Sequence, residues 1–150
     1  MIEVGSASPP DTLALGRKLA GLLRPGDVVL LGGRLGAGKT LLATGIAEGL
    51  GVAETVTSPS FVLVRRYEGF MPVVHADVYR LGSTGELDDL ELPEAARDGV
   101  LLIEWGNVVA AGVPADHLLV EIEIGDAEER TIRVIPRGGW DDRPIEELLA

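Results

Sequence analysis

The segment Asp27-Val28-Val29-Leu30-Leu31-Gly32-Gly33-Arg34-Leu35-Gly36-Ala37-Gly38-Lys39-Thr40 joins a short apolar run to a glycine-rich loop, and Leu41 to Leu50 continues with the apolar spacing of a helix. The order strand, glycine loop, helix frames the pattern GxxxxGKT over residues 33–40. Glycines let a backbone curl around a chain of phosphates with its N–H groups pointing inward, at the positive end of the following helix. Lys39 is then expected to reach the outer phosphates and the Thr40 hydroxyl to ligate a divalent cation. Lysine usage supports this assignment, because Lys18 and Lys39 are the only lysines in a chain otherwise supplied with arginine. A compact ammonium fits a tight anion nest where a planar guanidinium does not.

The remaining chain supplies the rest of an α/β domain. Ser8-Pro9-Pro10-Asp11 starts a helix whose apolar positions are Leu13, Leu15, Leu19, Leu22 and Leu23, and Pro25-Gly26 stops it. Thr55 to Pro59 reads as irregular. Residues 61–67 and 73–79 read as two strands of a hairpin, and Glu86 to Arg97 as helical with a break at Pro93. Val100 to Trp105 is a second fully apolar run of the kind found in buried central strands. Residues 118–124 and 131–135 alternate like a closing antiparallel pair, with a short helix over 144–149. Buried strands alternating with helices predict a three-layer fold with a mixed central sheet flanked by helices, and the length of 150 residues predicts one domain. In such sheets ligands lie at the carboxyl ends of the strands, which gathers the Gly33 loop, Asp77 and Glu104 at one rim.

Composition narrows the chemistry. The chain has no cysteine, which excludes disulfides, thiolate catalysis and thiolate-bound metals. A formal charge of −11 argues against a broad nucleic-acid surface, since such affinity rests on neutralised phosphates. Acidic residues cluster between Glu86 and Asp98, which leaves an acidic partner-binding face as a second explanation beside solubility. The first residues lack the basic start and apolar stretch of a signal peptide, and no apolar run approaches a membrane span, so a cytoplasmic location is expected.

A phosphate loop needs further acids to hold the cation and orient the attacking group. Asp77 and Glu104 each end an apolar run and are the candidates. Thr57-Ser58-Pro59-Ser60 offers three hydroxyls in a segment that could sense a terminal phosphate, or form an ordinary turn. His75 shares a strand face with Asp77 and reads as a structural or surface histidine rather than a catalytic one. His117 reads as a strand-start residue, and Arg65, Arg66 and Arg80 as solvated surface charges. The guanine-reading Asn-Lys-x-Asp motif is absent, because the only Asn is Asn107 and Val108 follows it. ATP is therefore favoured over GTP.

Taken together, GRLGAGKT at 33–40, TSPSFVLVRRY at 57–67, HADVYRL at 75–81 and LIEWGN at 102–107 resemble the TsaE family, small P-loop ATPases of bacterial tRNA threonylcarbamoyladenosine (t6A) synthesis. The resemblance implies a P-loop NTPase-like domain that binds ATP and Mg²⁺ and works with the TsaB and TsaD proteins, meeting tRNA only indirectly through their complex. It implies weak intrinsic ATPase activity, stimulated by those partners, with hydrolysis resetting the complex between rounds.

By the same resemblance, Gly33, Arg34, Leu35, Gly36, Ala37, Gly38, Lys39, Thr40 and Leu41 contact the nucleotide. Thr40, Glu104 and Asp77 attend the metal, and Asp77 is the acid needed for hydrolysis. Trp105 lies beside the nucleotide, Ser58, Pro59 and Ser60 form a switch-like segment, and Pro10, Asp11 and Thr12 lie near the adenine. Arg34 stands where the family usually has an acid, and Ser60 where it usually has Thr. The competing classes are a small-molecule kinase, disfavoured because no arginine-bearing lid is evident between Gly85 and Val113, and a nucleotide-gated binding module, which has no need of Asp77 or Glu104.

Overall fold

A computed structural model describes residues 1–57, 64–78, 91–104 and 114–149. Its elements in chain order are β1 (Ile2–Ser6), α1 (Pro9–Ala20), β2 (Val28–Gly33), α2 (Lys39–Gly49), β3 (Val64–Glu68), β4 (Pro72–Asp77), α3 (Leu92–Ala95), β5 (Val100–Glu104), β6 (His117–Ile124), β7 (Arg130–Arg137), a 3₁₀ turn (Gly138–Asp142) and α4 (Ile145–Leu149).

The strands form one mixed sheet in the order β1-β7-β6-β2-β5-β4-β3. Strands β6, β2, β5 and β4 run parallel; β7 pairs antiparallel with β6, β1 antiparallel with β7, and β3 antiparallel with β4. The apolar runs Val28 to Leu31 and Val100 to Ile103 occupy the middle, where both faces of a strand are covered and alternation is not required. Side chains divide by parity. Val29, Leu31, Val73, Val100 and Leu102 pack with Leu15, Leu19, Leu42 and Ile46 of α1 and α2. Val28, Leu30, Val74, Ala76, Leu101 and Ile103 pack on the opposite face with Leu92 and Ala96. Odd-numbered β4 residues and even-numbered β5 residues thus face the helices that carry the glycine loop.

Helices α1 and α2 cross at near backbone contact. A methyl group on Gly16 would stand 2.6 Å from the Leu42 carbonyl oxygen, and one on Gly45 would stand 2.3 Å from that of Leu13. This closeness carries the start of α1 to the glycine loop. At the other end of β2, Arg143 clamps Asp27 through two hydrogen bonds of 2.7 and 2.9 Å and stacks on Trp140, so the C-terminal segment is pinned to the base of the central strand.

The mixed sheet, both apolar central strands, the β3–β4 hairpin and the closing β6–β7 pair agree with the sequence reading. Two details differ. Strand β1 was not anticipated; it is a five-residue edge strand lacking apolar alternation strong enough to stand out beside α1. Pro93 does not break a helix but sits in the first turn of α3, where its missing N–H leaves no helical bond unmade. Glu86 to Leu90, like residues 61–63 and Tyr79, lie outside the described residues.

Candidate functional site

The loop between β2 and α2 owes its path to three left-handed glycines: Gly33 (φ 148°), Gly36 (φ 82°) and Gly38 (φ 113°). At Gly33 a side chain is excluded twice over, because a methyl there would lie 2.8 Å from the Ile122 carbonyl oxygen. Gly38 caps α2 without any side-chain hydrogen bond, since glycine has no side chain to accept from the first N–H groups of the helix. Arg34, Leu35 and Gly36 form the exposed outer turn, Ala37 is buried, and Leu41 is half-buried in the first turn of α2.

Lys39 opens α2 and folds back beneath the loop. Its ammonium donates to the Gly33 carbonyl at 2.6 Å and the Arg34 carbonyl at 3.2 Å. Burial lowers its pKa below the ordinary lysine value, and the charges of Glu104 and Asp77 oppose that shift. A cation held this way has loop carbonyls that an anion can replace.

Glu104 and Asp77 are the last residues of neighbouring parallel strands and stand opposite each other in register. The pairing continues one step, with the Val78 N–H donating to the Glu104 carbonyl at 3.4 Å. Glu104 is not a carboxylate in solvent, being 3% exposed. The Thr40 hydroxyl lies 3.1 and 3.0 Å from its two oxygens. On the other side His75 Nε2 lies 2.5 Å from Glu104 Oε2. Asp77 is half-buried on the same face of β4 as His75.

The N-terminus of α1 forms a flank. Thr12 is buried, its hydroxyl 2.7 Å from that of Ser6, and a methyl on Gly38 would come within 3.9 Å of Thr12 Cγ2. Asp11 turns back to accept the Ala7 N–H at 3.0 Å, and Pro10 lies in the exposed first turn. Ser58, Pro59, Ser60 and Trp105 lie outside the described residues. The Thr57 N–H, immediately before that segment, donates to the buried Tyr67 hydroxyl at 3.3 Å.

Two residues in this neighbourhood were not assigned a part from the sequence. His75 was read as structural; its spacing to Asp77 pointed to the shared face, but the meeting with Glu104 depends on β4 lying beside β5. Arg130, whose Nε donates to the Ala37 carbonyl at 3.0 Å, comes from 93 positions away and left no local signal. Arg65 and Arg66 are exposed, Arg66 pairing with Glu68, and His117 begins β6 as expected.

The N-terminus of α2, a buried ammonium, a hydroxyl and two carboxylates converge at the carboxyl ends of β2, β4 and β5. Among the described residues no group of three or more His, Cys, Asp or Glu could hold a metal. Thr40 and Glu104 present oxygens of the kind Mg²⁺ takes beside phosphates.

Residues 6–132 match the family model described as threonylcarbamoyl adenosine biosynthesis protein TsaE. The chain belongs to the TsaE family. The relative named tRNA threonylcarbamoyladenosine biosynthesis protein TsaE in Streptomyces coelicolor is 44% identical over 83% of this chain and 88% of its own length. Its namesake in Bacillus subtilis is 37% identical over 95% of this chain and 90% of its own. The crystal structure of Bacillus subtilis YdiB superposes with a TM-score of 0.82 at 34% identity, covering 98% of this chain and 93% of that one. These TsaE likenesses span both the glycine loop and the two acid-bearing strands.

Proposed function

We propose that this TsaE family member binds ATP with Mg²⁺ and hydrolyses it as the energy-coupling component of t6A synthesis on tRNA, acting with TsaB and TsaD. The observation that carries the reading is the convergence of Lys39, Thr40, Glu104 and Asp77 at one rim of the parallel strands. The names of the relatives direct that chemistry to t6A.

The site residues divide the work. N–H groups of residues 36–40 cradle the phosphates, and Lys39 exchanges its two loop carbonyls for phosphate oxygens. Thr40 and Glu104 would hold Mg²⁺, which when bound offsets the negative charge of the phosphate oxygens. Asp77, at the rim beside Glu104, orients the attacking water and accepts its proton. Pro10, Asp11 and Thr12 border the nucleotide from the α1 side, and Trp105, Ser58 and Ser60 are further nucleotide contacts that membership of the TsaE family implies. Turnover is weak alone because part of this set requires a partner to order it. A net charge of −11 keeps the tRNA contact indirect.

The test is t6A formation by the TsaB–TsaD pair, followed over many turnovers with the wild-type chain and with Glu104→Gln. The wild type is expected to sustain synthesis and the variant to stall after about one round, on the order of a hundredfold loss in steady-state rate. Full synthesis with the variant would remove hydrolysis from the coupling.

A further inference from the structure

Arg130 opens β7, and its guanidinium donates to three backbone carbonyls. Nη1 donates to Ala127 at 2.9 Å and Glu129 at 2.8 Å, while Nε donates to Ala37 at 3.0 Å. The first two bonds fasten it to the β6–β7 turn. That turn is itself closed by Gly125 N–H to the Glu129 carbonyl and Glu129 N–H to the Asp126 carbonyl, both at 2.9 Å. The third bond reaches across to the glycine loop. Arg130 is therefore a rigid bracket between the turn and one chosen peptide, with the planar fork that such multiple contacts need.

We propose that Arg130 is a positioning residue for the phosphate loop, fixing the Ala37–Gly38 peptide so that the Gly38 N–H faces the bound anion. In a trans peptide the carbonyl and the following N–H point in opposite directions, and the described chain has no cis bonds. Holding the Ala37 oxygen against β7 therefore turns the Gly38 N–H away from β7. Gly38, left-handed at φ 113°, is a residue whose backbone has other conformations within reach. A flip of that peptide would aim an oxygen at the phosphates instead of a donor. Ala37 is 2% exposed, so solvent is poorly placed to substitute for the guanidinium. Register supports the same bracket. Arg130 pairs with Ser6 of β1, Ser6 bonds Thr12, and Thr12 abuts Gly38, so the loop is braced from two sides by one end of β7.

This inference rests on the loop being a nucleotide site, and the experiment separates the two. ADP affinity, ATP hydrolysis kinetics and thermal melting are measured for the wild type, Arg130→Met, Arg130→Lys and Lys39→Ala. Arg130→Met is expected to raise the ADP Kd and the ATP KM about tenfold, with kcat at saturation within about twofold of wild type. Arg130→Lys is expected to behave like Arg130→Met, because a single ammonium cannot reproduce the fork. Wild-type Kd and KM in Arg130→Met would overturn the proposal. So would full recovery in Arg130→Lys, which would assign the effect to charge. A change in melting temperature without a change in Kd would mark a purely structural bond and overturn it as well. If Lys39→Ala binds ADP as well as wild type, the nucleotide reading itself fails and the inference falls with it.

Discussion

Lys39 carries its charge at a cost to the fold. Burial lowers its pKa, so the folded state disfavours the ammonium, and the penalty is present at every pH below the depressed value. It is relieved only as pH rises through that value toward 10.5, where the unfolded chain also loses the proton. Lys39→Met is therefore expected to melt at or above the wild-type temperature at neutral pH, with the gap closing in alkaline buffer. The same change should weaken ADP binding on the order of a hundredfold. Calorimetric melts across pH check the first point, and a fall of several degrees at pH 7 would contradict it. At Glu104 the buried carboxylate depends on His75 and Thr40 for its hydrogen bonds. Replacing the fully buried His75 by Ala is expected to cost about 2–4 kcal/mol in urea unfolding and to depress hydrolysis. His75→Gln, whose amide can reach the same oxygen, should recover much of both. The placement of Glu104 and Asp77 at one strand-end rim was legible in the sequence because an acid ending an apolar run is a local signal. The contacts of His75 with Glu104 and of Arg130 with Ala37 were not, since each depends on a neighbour brought by strand order rather than by spacing.

Among the elements, the α1–α2 crossing sets where the loop flank lies. Gly16 and Gly45 permit it because the place each missing methyl would take is occupied by the opposing helix's backbone. Gly45→Ala is expected to destabilise by about 1–3 kcal/mol even though alanine favours helices, because the helices must separate. Equilibrium urea denaturation measures this, and an unchanged midpoint would mean that the crossing yields without strain. The sequence disclosed both helices through their apolar spacing and the proline and glycine signals at their ends. It did not disclose their closeness, because glycine inside a helix reads as a weakness unless the opposing backbone is known. The same limit explains β1, whose partners on β7 lie 124 to 132 residues away and supply what its own five residues do not signal. Pro93 shows the converse: proline marks a helix boundary, and only the structure tells a start from an interruption.

For the whole molecule, fold class followed from the two apolar runs and the glycine loop, while strand order did not. Residues 118–124 read as half of a closing pair, yet β6 lies directly against β2 and its carbonyl at Ile122 crowds Gly33. The late strands are thus part of the loop's foundation, and through Arg130 they reach its backbone. Such a site is complete enough to bind and, under the proposed function, incomplete enough to need partners for turnover. The most direct measurement is ATP hydrolysis by the purified chain, alone and with the TsaB–TsaD pair, with Lys39→Ala as the control. A slow rate alone, raised roughly tenfold or more by the pair and lost in Lys39→Ala, is the expected result. Equal rates with and without the pair, or stimulation that survives in Lys39→Ala, would contradict a partner-activated ATPase built on this loop.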